Sequence, residues 1–385
     1  MTAWRRDFHR HPELAFAETR TAAIVADKLR SFGLDDVVTG VGGTGVVGVI
    51  RGGANDNRGA GRGIGLRAEM DALPMQEQTS LPWASDNRGI MHACGHDGHT
   101  AILLGAARYL AETRNFCGTV YVVFQPGEEV GEGAAAVLKE GRLLERFPLD
   151  SIFGLHNWPG LPEGHFAWRE GPMMAAAARF RIEVKGTGAH GAAPHLGTDS
   201  VLTAAQIVNA LQGIVARSLS PMETGVVSVG DVRCEGGAWN VIPERVVLEG
   251  TARWLTPVVG ALLEHRIGEV ARGAAAAMGA AAEICFQVLG QPVTNDRRAT
   301  RLAAEAARTV VGEARVAELD RPTMLGEDFG HMLRDRPGSF LFLGAGRRGE
   351  CEPQLHQPTY DFNDELLPIG ASWFAALVEH ALPRQ

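Results

Sequence analysis

Aromatic residues make up only 6% of this 385-residue chain, three tyrosines among them, so composition gives no ground for an aromatic-lined pocket. Cysteine is scarce as well: Cys94, Cys117, Cys234, Cys285 and Cys351 are scattered, odd in number and never paired as C-x-x-C. That usage argues against a disulfide framework and fits a reducing compartment, where a cysteine of consequence is a ligand or a nucleophile. No apolar run reaches the ~18 residues of a membrane span, and Met1–Arg10 is polar and helical in character, without the apolar core of a secretion signal. The default location is the cytoplasm. Basic charge is not in excess either. With 37 Lys and Arg against 45 Asp and Glu, the net charge is −8, and no basic stripe recommends a nucleic-acid partner.

What is present is globular. Hydrophobic residues at 45% and charged ones at 21% exclude disorder, and the length fits two or three domains of roughly 150 residues each. In the first third, Ala22, Val25, Leu29 and Phe32 recur at helical spacing with Gly33 as a stop. Two apolar runs, Thr44–Ile50 and Gly63–Ala68, flank a glycine- and asparagine-rich exposed turn at Gly52–Arg62. A helix over Thr100–Thr113, a buried strand at Thr119–Gln125, a short helix at Gly133–Glu140 and a strand at Ser151–His156 follow. Such alternation implies an α/β core with a mostly parallel sheet.

The pattern then changes. Arg179–Lys185 alternates like a half-exposed strand, Ser200–Leu219 carries a helical stripe, and Val226–Val232 and Arg245–Arg253 read as strands. A helix at Val258–Met278 and a strand at Ala281–Leu289 complete a compact α+β unit, two helices on an antiparallel sheet. From Arg297 the α/β pattern resumes and ends in a helix over Glu365–Leu382. The expected organisation is a discontinuous catalytic domain, 1–176 with 291–385, and an inserted domain, 177–290.

One glycine motif misleads. Gly40, Gly42 and Gly45 spell G-x-G-x-x-G, but the β-branched run Val46–Ile50 follows where a dinucleotide site needs a helix. A glycine turn feeding a strand accounts for it better.

The chemistry concentrates elsewhere. Met91–Thr100 reads M-H-A-C-G-H-D-G-H-T, placing Cys94 and His96 one residue apart amid His92, Asp97 and His99. A thiolate and an imidazole so spaced suit a borderline-soft divalent ion held at a loop end. The bland reading, a buried cysteine beside surface histidines, explains such crowding poorly. Glu128 and Glu129 end an apolar strand in Q-P-G-E-E, at the carboxyl end where open α/β sheets bind ligands. One of two adjacent carboxylates can ligate a metal while the other moves a proton, although a solvated acidic turn would look the same. His156 closes the next strand at a matching position, a candidate ligand. Glu69 and Asp71 leave a strand at the same sheet end, as carboxylates that brace ligating imidazoles do. His356, in L-H-Q-P-T-Y-D-F-N-D, is uninformative by spacing alone.

Taken in order, R-R-D-F-H-R-H-P-E-L, G-V-G-G-T-G-V-V, H-A-C-G-H-D-G-H, P-G-E-E, G-L-H, N-V-I-P, G-E-D-F and L-H-Q-P-T-Y-D-F-N-D cover nearly the whole chain. The set resembles the metal-dependent aminoacylase and carboxypeptidase superfamily, in its branch of hippurate hydrolases, N-acyl-amino-acid amidohydrolases and auxin-conjugate hydrolases. The resemblance implies two divalent ions per subunit, manganese or zinc, with cobalt or nickel as further options. It assigns Cys94, His96, Glu129, His156 and His356 as their ligands and Glu128 as general base. His190 in G-A-H-G-A-A-P-H and Asn240 match inserted-domain residues that meet the substrate or the tetrahedral intermediate, the histidine coming in relatives from the partner of a homodimer. Arg253 is a candidate for holding a substrate carboxylate.

Two positions depart from the family pattern: Glu69 stands for the first aspartate of R-A-D-M-D, and Met324–Phe329 reads M-L-G-E-D-F for M-G-A-E-D-F. The implied reaction is hydrolysis of an N-acyl amino acid to a carboxylic acid and a free amino acid, by an activated water that Glu128 deprotonates. A bridging role for the Cys94 thiolate is in keeping with it, and the inserted domain is expected to close over substrate or to pair subunits. The rivals are a dipeptidase or carboxypeptidase of the same chemistry, a cysteine amidohydrolase with Cys94 as nucleophile, and a non-catalytic metal-binding homologue.

Overall fold

Runs of β-branched residues buried on both faces become the central strands of a mixed sheet. Val46–Ile50, Ile64–Ala68 and Val120–Phe124 all lie in strands whose residues are almost entirely buried. The computed structural model describes residues 1–53, 61–346 and 353–384. Most of the turn expected at Gly52–Arg62, and Cys351, lie outside them.

The chain divides into two compact units. The first comprises Met1–Met173, Val293–Pro322 and Asp328–Gln385; the second comprises Met174–Pro292 with Thr323–Glu327.

In the first unit an eight-stranded sheet runs in the order Asp36–Val41, Gly45–Arg51, Thr119–Gln125, Gly63–Glu69, Ser151–Pro162, Gly338–Gly346, Phe166–Trp168, Val316–Glu318. The four central strands pair in parallel, and antiparallel pairing enters towards both edges. Gly40, near the end of Asp36–Val41, and Gly42 and Gly43, between it and Gly45–Arg51, take positive φ, and the two strands pair antiparallel. The G-x-G-x-x-G string is therefore a hairpin turn, as its following strand implies. Helix Leu366–Ala381 packs against both His96–Thr113 and Arg297–Val311, and its Trp373 donates its indole N–H to the Ala303 carbonyl at 3.0 Å.

The second unit is a four-stranded antiparallel sheet, Gly225–Glu235, Arg245–Trp254, Ala176–Lys185, Ala281–Val288 in order. Ala178, Phe180, Ile182 and Val184 alternate inward and meet Ile207 and Leu211 of helix Ser200–Gly213 and Leu263 and Ile267 of helix Pro257–Ala277. Asp199 and Thr256 cap these helices by accepting the backbone N–H of Leu202 and Val259. The helical stripe expected to reach Leu219 leaves α geometry after Gly213 and continues as one wide turn over Ile214–Ser218. No helix among the described residues is long and apolar enough to cross a membrane.

Candidate metal centre

In the first unit two further elements depart from the sequence reading, and both shape the site. The helix expected from Thr100 begins at His96, after Gly95 in a left-handed conformation at φ 92. Its first turn holds His96, Asp97 and His99, all buried, so His96 projects from a helix end rather than a loop. Buried histidines and glycines carry no apolar stripe, which is why the periodicity starts late. The strand expected to close at His156 runs on to Pro162. Its pairing with Gly63–Glu69 stops at Gly154, while Gly338–Gly346 pairs beyond His156. His156 thus stays in a strand yet loses one neighbour, which opens its side chain to the carboxyl end of the sheet.

Around this point the donors gather in clusters. Ligand atoms of Cys94, His96 and His156 lie within 4.8 Å of one another, and so do those of Cys94, Glu129 and His356. A third cluster joins His96, Glu128 and Glu129. His156 gives its Nδ1–H to the Asn157 carbonyl at 2.7 Å, leaving Nε2 facing Cys94 Sγ at 3.4 Å. His96 Nδ1 meets the Asp71 carbonyl at 3.0 Å and its carboxylate at 3.2 Å, so Nε2 points inward, 4.0 Å from both Glu128 and Glu129. Both imidazoles have their outer nitrogen held by a carbonyl oxygen and turn the inner one towards the other donors, the tautomer that a metal requires. Glu129 Oε1 is buried without a hydrogen-bond partner, while Oε2 lies 3.4 Å from His356 Nε2. A buried orphan carboxylate oxygen facing soft and borderline donors fits a divalent ion. The residues present therefore suit a pair of ions.

Electrostatics agree with that geometry. Burial opposes charge on Glu129, yet the His356 hydrogen bond and the nearby His96 and His356 rings hold its carboxyl below the usual range. Asp71 is fully buried, and His96 with the Glu128 and Glu129 backbone N–H groups holds it low as well. His99 is pushed well below its ordinary value, chiefly by burial. Its Nδ1 meets Glu69 at 2.8 Å and its Nε2 meets Asn157 Oδ1 at 2.7 Å, so both nitrogens are engaged. The bracing expected of Glu69 accordingly falls on His99, while Asp71 is the carboxylate behind His96.

The turn carrying Glu128 is held from beneath. The Asp328 carboxylate accepts from Arg67 at 2.8 Å, from Gln125 at 2.9 Å and from the Ala134 backbone N–H at 2.7 Å. The Asp328 backbone N–H reaches Glu128 Oε1 at 3.3 Å. Arg67, Gln125, Asp328, Asn157 and Tyr360 escaped the sequence reading. Arg67, the arginine that opens R-A-E-M-D inside an otherwise apolar strand, was the one available signal.

In the second unit, His190 and Asn240 are neighbours. The pairs Ala189–His190 and Val241–Ile242 form a two-stranded ribbon, and Gly191 donates its backbone N–H to the Asn240 carbonyl at 2.8 Å. His190 Nδ1 accepts from the Ala192 backbone at 3.0 Å, which leaves the proton on Nε2 as an exposed donor. Arg253 is half-buried and pairs with no acidic side chain among the described residues; burial alone lowers its pKa.

A parallel-centred α/β sheet with clustered thiol, imidazole and carboxylate donors at its carboxyl end, plus an inserted α+β unit, defines a metallohydrolase architecture. Residues 65–380 match the model of peptidase family M20/M25/M40. The chain belongs to that family, as one of its amidohydrolases. It is 40% identical over 373 residues to a hippurate hydrolase of Campylobacter jejuni, covering 97% of this chain and 94% of that one. It is 39% identical to an N-acetyl-L-cysteine deacetylase of Bacillus subtilis, covering 96% and 85%. Among solved structures, a Bacillus subtilis protein described as a dinuclear metal binding peptidase of the M20 family superposes with a TM-score of 0.84 at 35% identity, over 99% of this chain and 97% of the other.

Proposed function

We propose that the protein hydrolyses N-acyl amino acids, of the hippurate or N-acetyl-amino-acid kind, to a carboxylic acid and a free amino acid. The observation that carries this reading is the membership of Cys94 in two of the donor clusters, with His96 and His156 on one side and Glu129 and His356 on the other. In this reading Cys94, His96, Glu129, His156 and His356 would hold two divalent ions, with Cys94 available to both ligand sets. The relatives named as hippurate hydrolase and N-acetyl-L-cysteine deacetylase support the substrate class.

When bound, two divalent ions, manganese or zinc, supply polarisation of the scissile carbonyl and acidification of water. Glu128 takes a proton from the attacking water and delivers it to the departing amine. Its Oε1, aligned by the Asp328 N–H, leaves Oε2 towards the cluster. His190 and Asn240 donate to the oxyanion, and Arg253 holds the substrate's carboxylate. The boundaries 177–290 delimit the domain that carries these three and that pairs two subunits, His190 acting on the partner's substrate. The enzyme works in the cytoplasm.

A second reading, a carboxypeptidase of the same chemistry, draws on 35% identity to a thermostable carboxypeptidase of Saccharolobus solfataricus. One experiment separates them. Metal-free protein reloaded with Mn²⁺, Zn²⁺ or Co²⁺ is assayed against N-benzoyl, N-acetyl and N-indoleacetyl amino acids and against dipeptides. Faster turnover of the acyl amino acids, abolished by chelator and insensitive to prior thiol alkylation of the loaded enzyme, is expected. Activity that survives chelation would exclude the reading in favour of a cysteine nucleophile.

A further inference from the structure

Arg5 is fully buried in the first unit, on the N-terminal helix Thr2–Arg10, far in sequence from every candidate ligand. Its Nε donates to Asp97 at 2.8 Å, its Nη2 donates to Asp361 at 2.6 Å, and its Nη1 lies 3.6 Å from Asp364. Asp97 directly follows His96 in the first turn of its helix. Asp361 and Asp364 follow His356 in the segment before the last helix. One guanidinium therefore joins the two segments that carry Cys94 with His96 and, separately, His356. His9, one turn on, meets the same Asp97 oxygen at 2.8 Å and Glu77 at 3.3 Å.

We propose that Arg5 is a positioning residue for the metal centre: a clamp that sets the distance between the His96 and His356 segments. The inference rests on the ligand reading above.

Three observations carry it. The His356 segment is held further on, by the Gln78 N–H on the Pro358 carbonyl at 2.7 Å and by Asn157 donating to the Tyr360 hydroxyl at 2.6 Å, but at His356 itself the side chain is 52% exposed and the φ of 62 lies in the left-handed region, where a non-glycine residue is strained. Among the described residues, one backbone bond ties it to the other segment, His356 N–H to the Ala93 carbonyl at 2.8 Å. Next, the two segments meet without slack beside the clamp: a Cβ on Gly98 would lie 2.3 Å from the Phe362 ring, and Arg5 sits 5.7 Å from that ring's centre. A small rotation at Asp97 or Asp361 is thus passed on to the donors. Finally, only a planar fork with donors in several directions serves carboxylates on separate segments at once; an ammonium is a single point charge. A buried ion pair adds little net stability over an apolar substitute, so a role in geometry accounts for it better than a role in stability.

The test uses the full-length metal-free protein and Zn²⁺ alone, titrated against a chromophoric chelator, with thermal midpoints of the metal-free forms measured alongside. In the Arg5→Lys variant, zinc affinity is expected to fall by about 10–100-fold. In the Asp361→Asn variant, which leaves Arg5 its contact to Asp97, the weaker of the two ions is expected to lose affinity while the other is retained. A lowered midpoint with both zinc affinities within about two-fold of wild type in the folded variants would make the network merely structural and overturn the clamp. Should Arg5→Lys fail to fold, Asp361→Asn decides by the same criterion, because Asp361 is partly exposed and Arg5 keeps its ion pair with Asp97. Wild-type protein that binds fewer than two zinc ions would instead sink the ligand reading.

Discussion

Asp71 faces His96 with one carboxylate oxygen at 3.2 Å from Nδ1 and gives the other to the backbone N–H of Glu129 at 2.9 Å. A single fully buried carboxylate thus orients two residues of the candidate centre, one from the helix end and one from the P-G-E-E turn. Replacing it by Asn swaps an acceptor for an amide that cannot satisfy both donors. Asp71→Asn is expected to weaken metal binding by about 10–100-fold while secondary structure by circular dichroism stays intact. Unchanged zinc stoichiometry and affinity by competition titration would contradict this.

Glu128→Gln tests the proton carrier separately from the metal. Glutamine keeps the shape and can still accept from the Asp328 N–H, but it cannot take a proton. Metal content by elemental analysis is expected to match wild type, with kcat lowered by roughly 10²–10⁴-fold, the usual worth of a positioned general base. A metal-replete variant turning over at the wild-type rate would remove Glu128 from the chemistry.

How much of this was legible in the sequence depends on how far apart the partners lie. Thr119–Gln125 reads as a buried strand because the run is self-contained, and the alternation in Arg179–Lys185 exposes its pleat directly. Met91–Thr100 attracts attention because its histidines and cysteine are adjacent in the chain. The start of the His96 helix was missed because its first turn is polar yet buried, reversing the pattern that periodicity relies on. Arg5 was invisible as a functional residue since its partner Asp361 is 356 positions away, and no local spacing encodes that contact. Asp328 escaped for the same reason: G-E-D-F looks like an acidic turn until Arg67 and Gln125 are brought beneath it.

His9 supplies a pH signature of the buried network. Burial disfavours its charge, but hydrogen bonds to Asp97 and Glu77 outweigh that and raise its pKa to about 9. A histidine whose folded pKa exceeds its unfolded value of about 6.5 contributes stability that is fully present below that value. The contribution is lost as pH rises through 9. Comparing wild type with His9→Gln by urea unfolding, the stability difference is expected to be largest near pH 6, on the order of 3 kcal/mol, and to shrink towards pH 10. A difference independent of pH across that window would mean that His9 is not charged in the folded protein.

Arg253 and Gly326, both in the second unit, offer a test of substrate recognition that leaves the donors untouched. The Arg253 guanidinium is half-buried with no acidic partner among the described residues, an arrangement that costs desolvation without return until an anion arrives. A Cβ on Gly326 would stand 2.9 Å from its Nη1, so alanine there would force the guanidinium aside. Arg253→Leu is expected to raise KM for an N-acyl amino acid by about 10–100-fold, the worth of a charge-assisted hydrogen bond, with kcat far less affected. Gly326→Ala is expected to raise it a few-fold. The control is the matching N-acyl amino-acid amide, which lacks the carboxylate. Wild type should already bind it poorly, and neither substitution should weaken it further. Equal losses on acid and amide would show that Arg253 supports the fold rather than the substrate's charge.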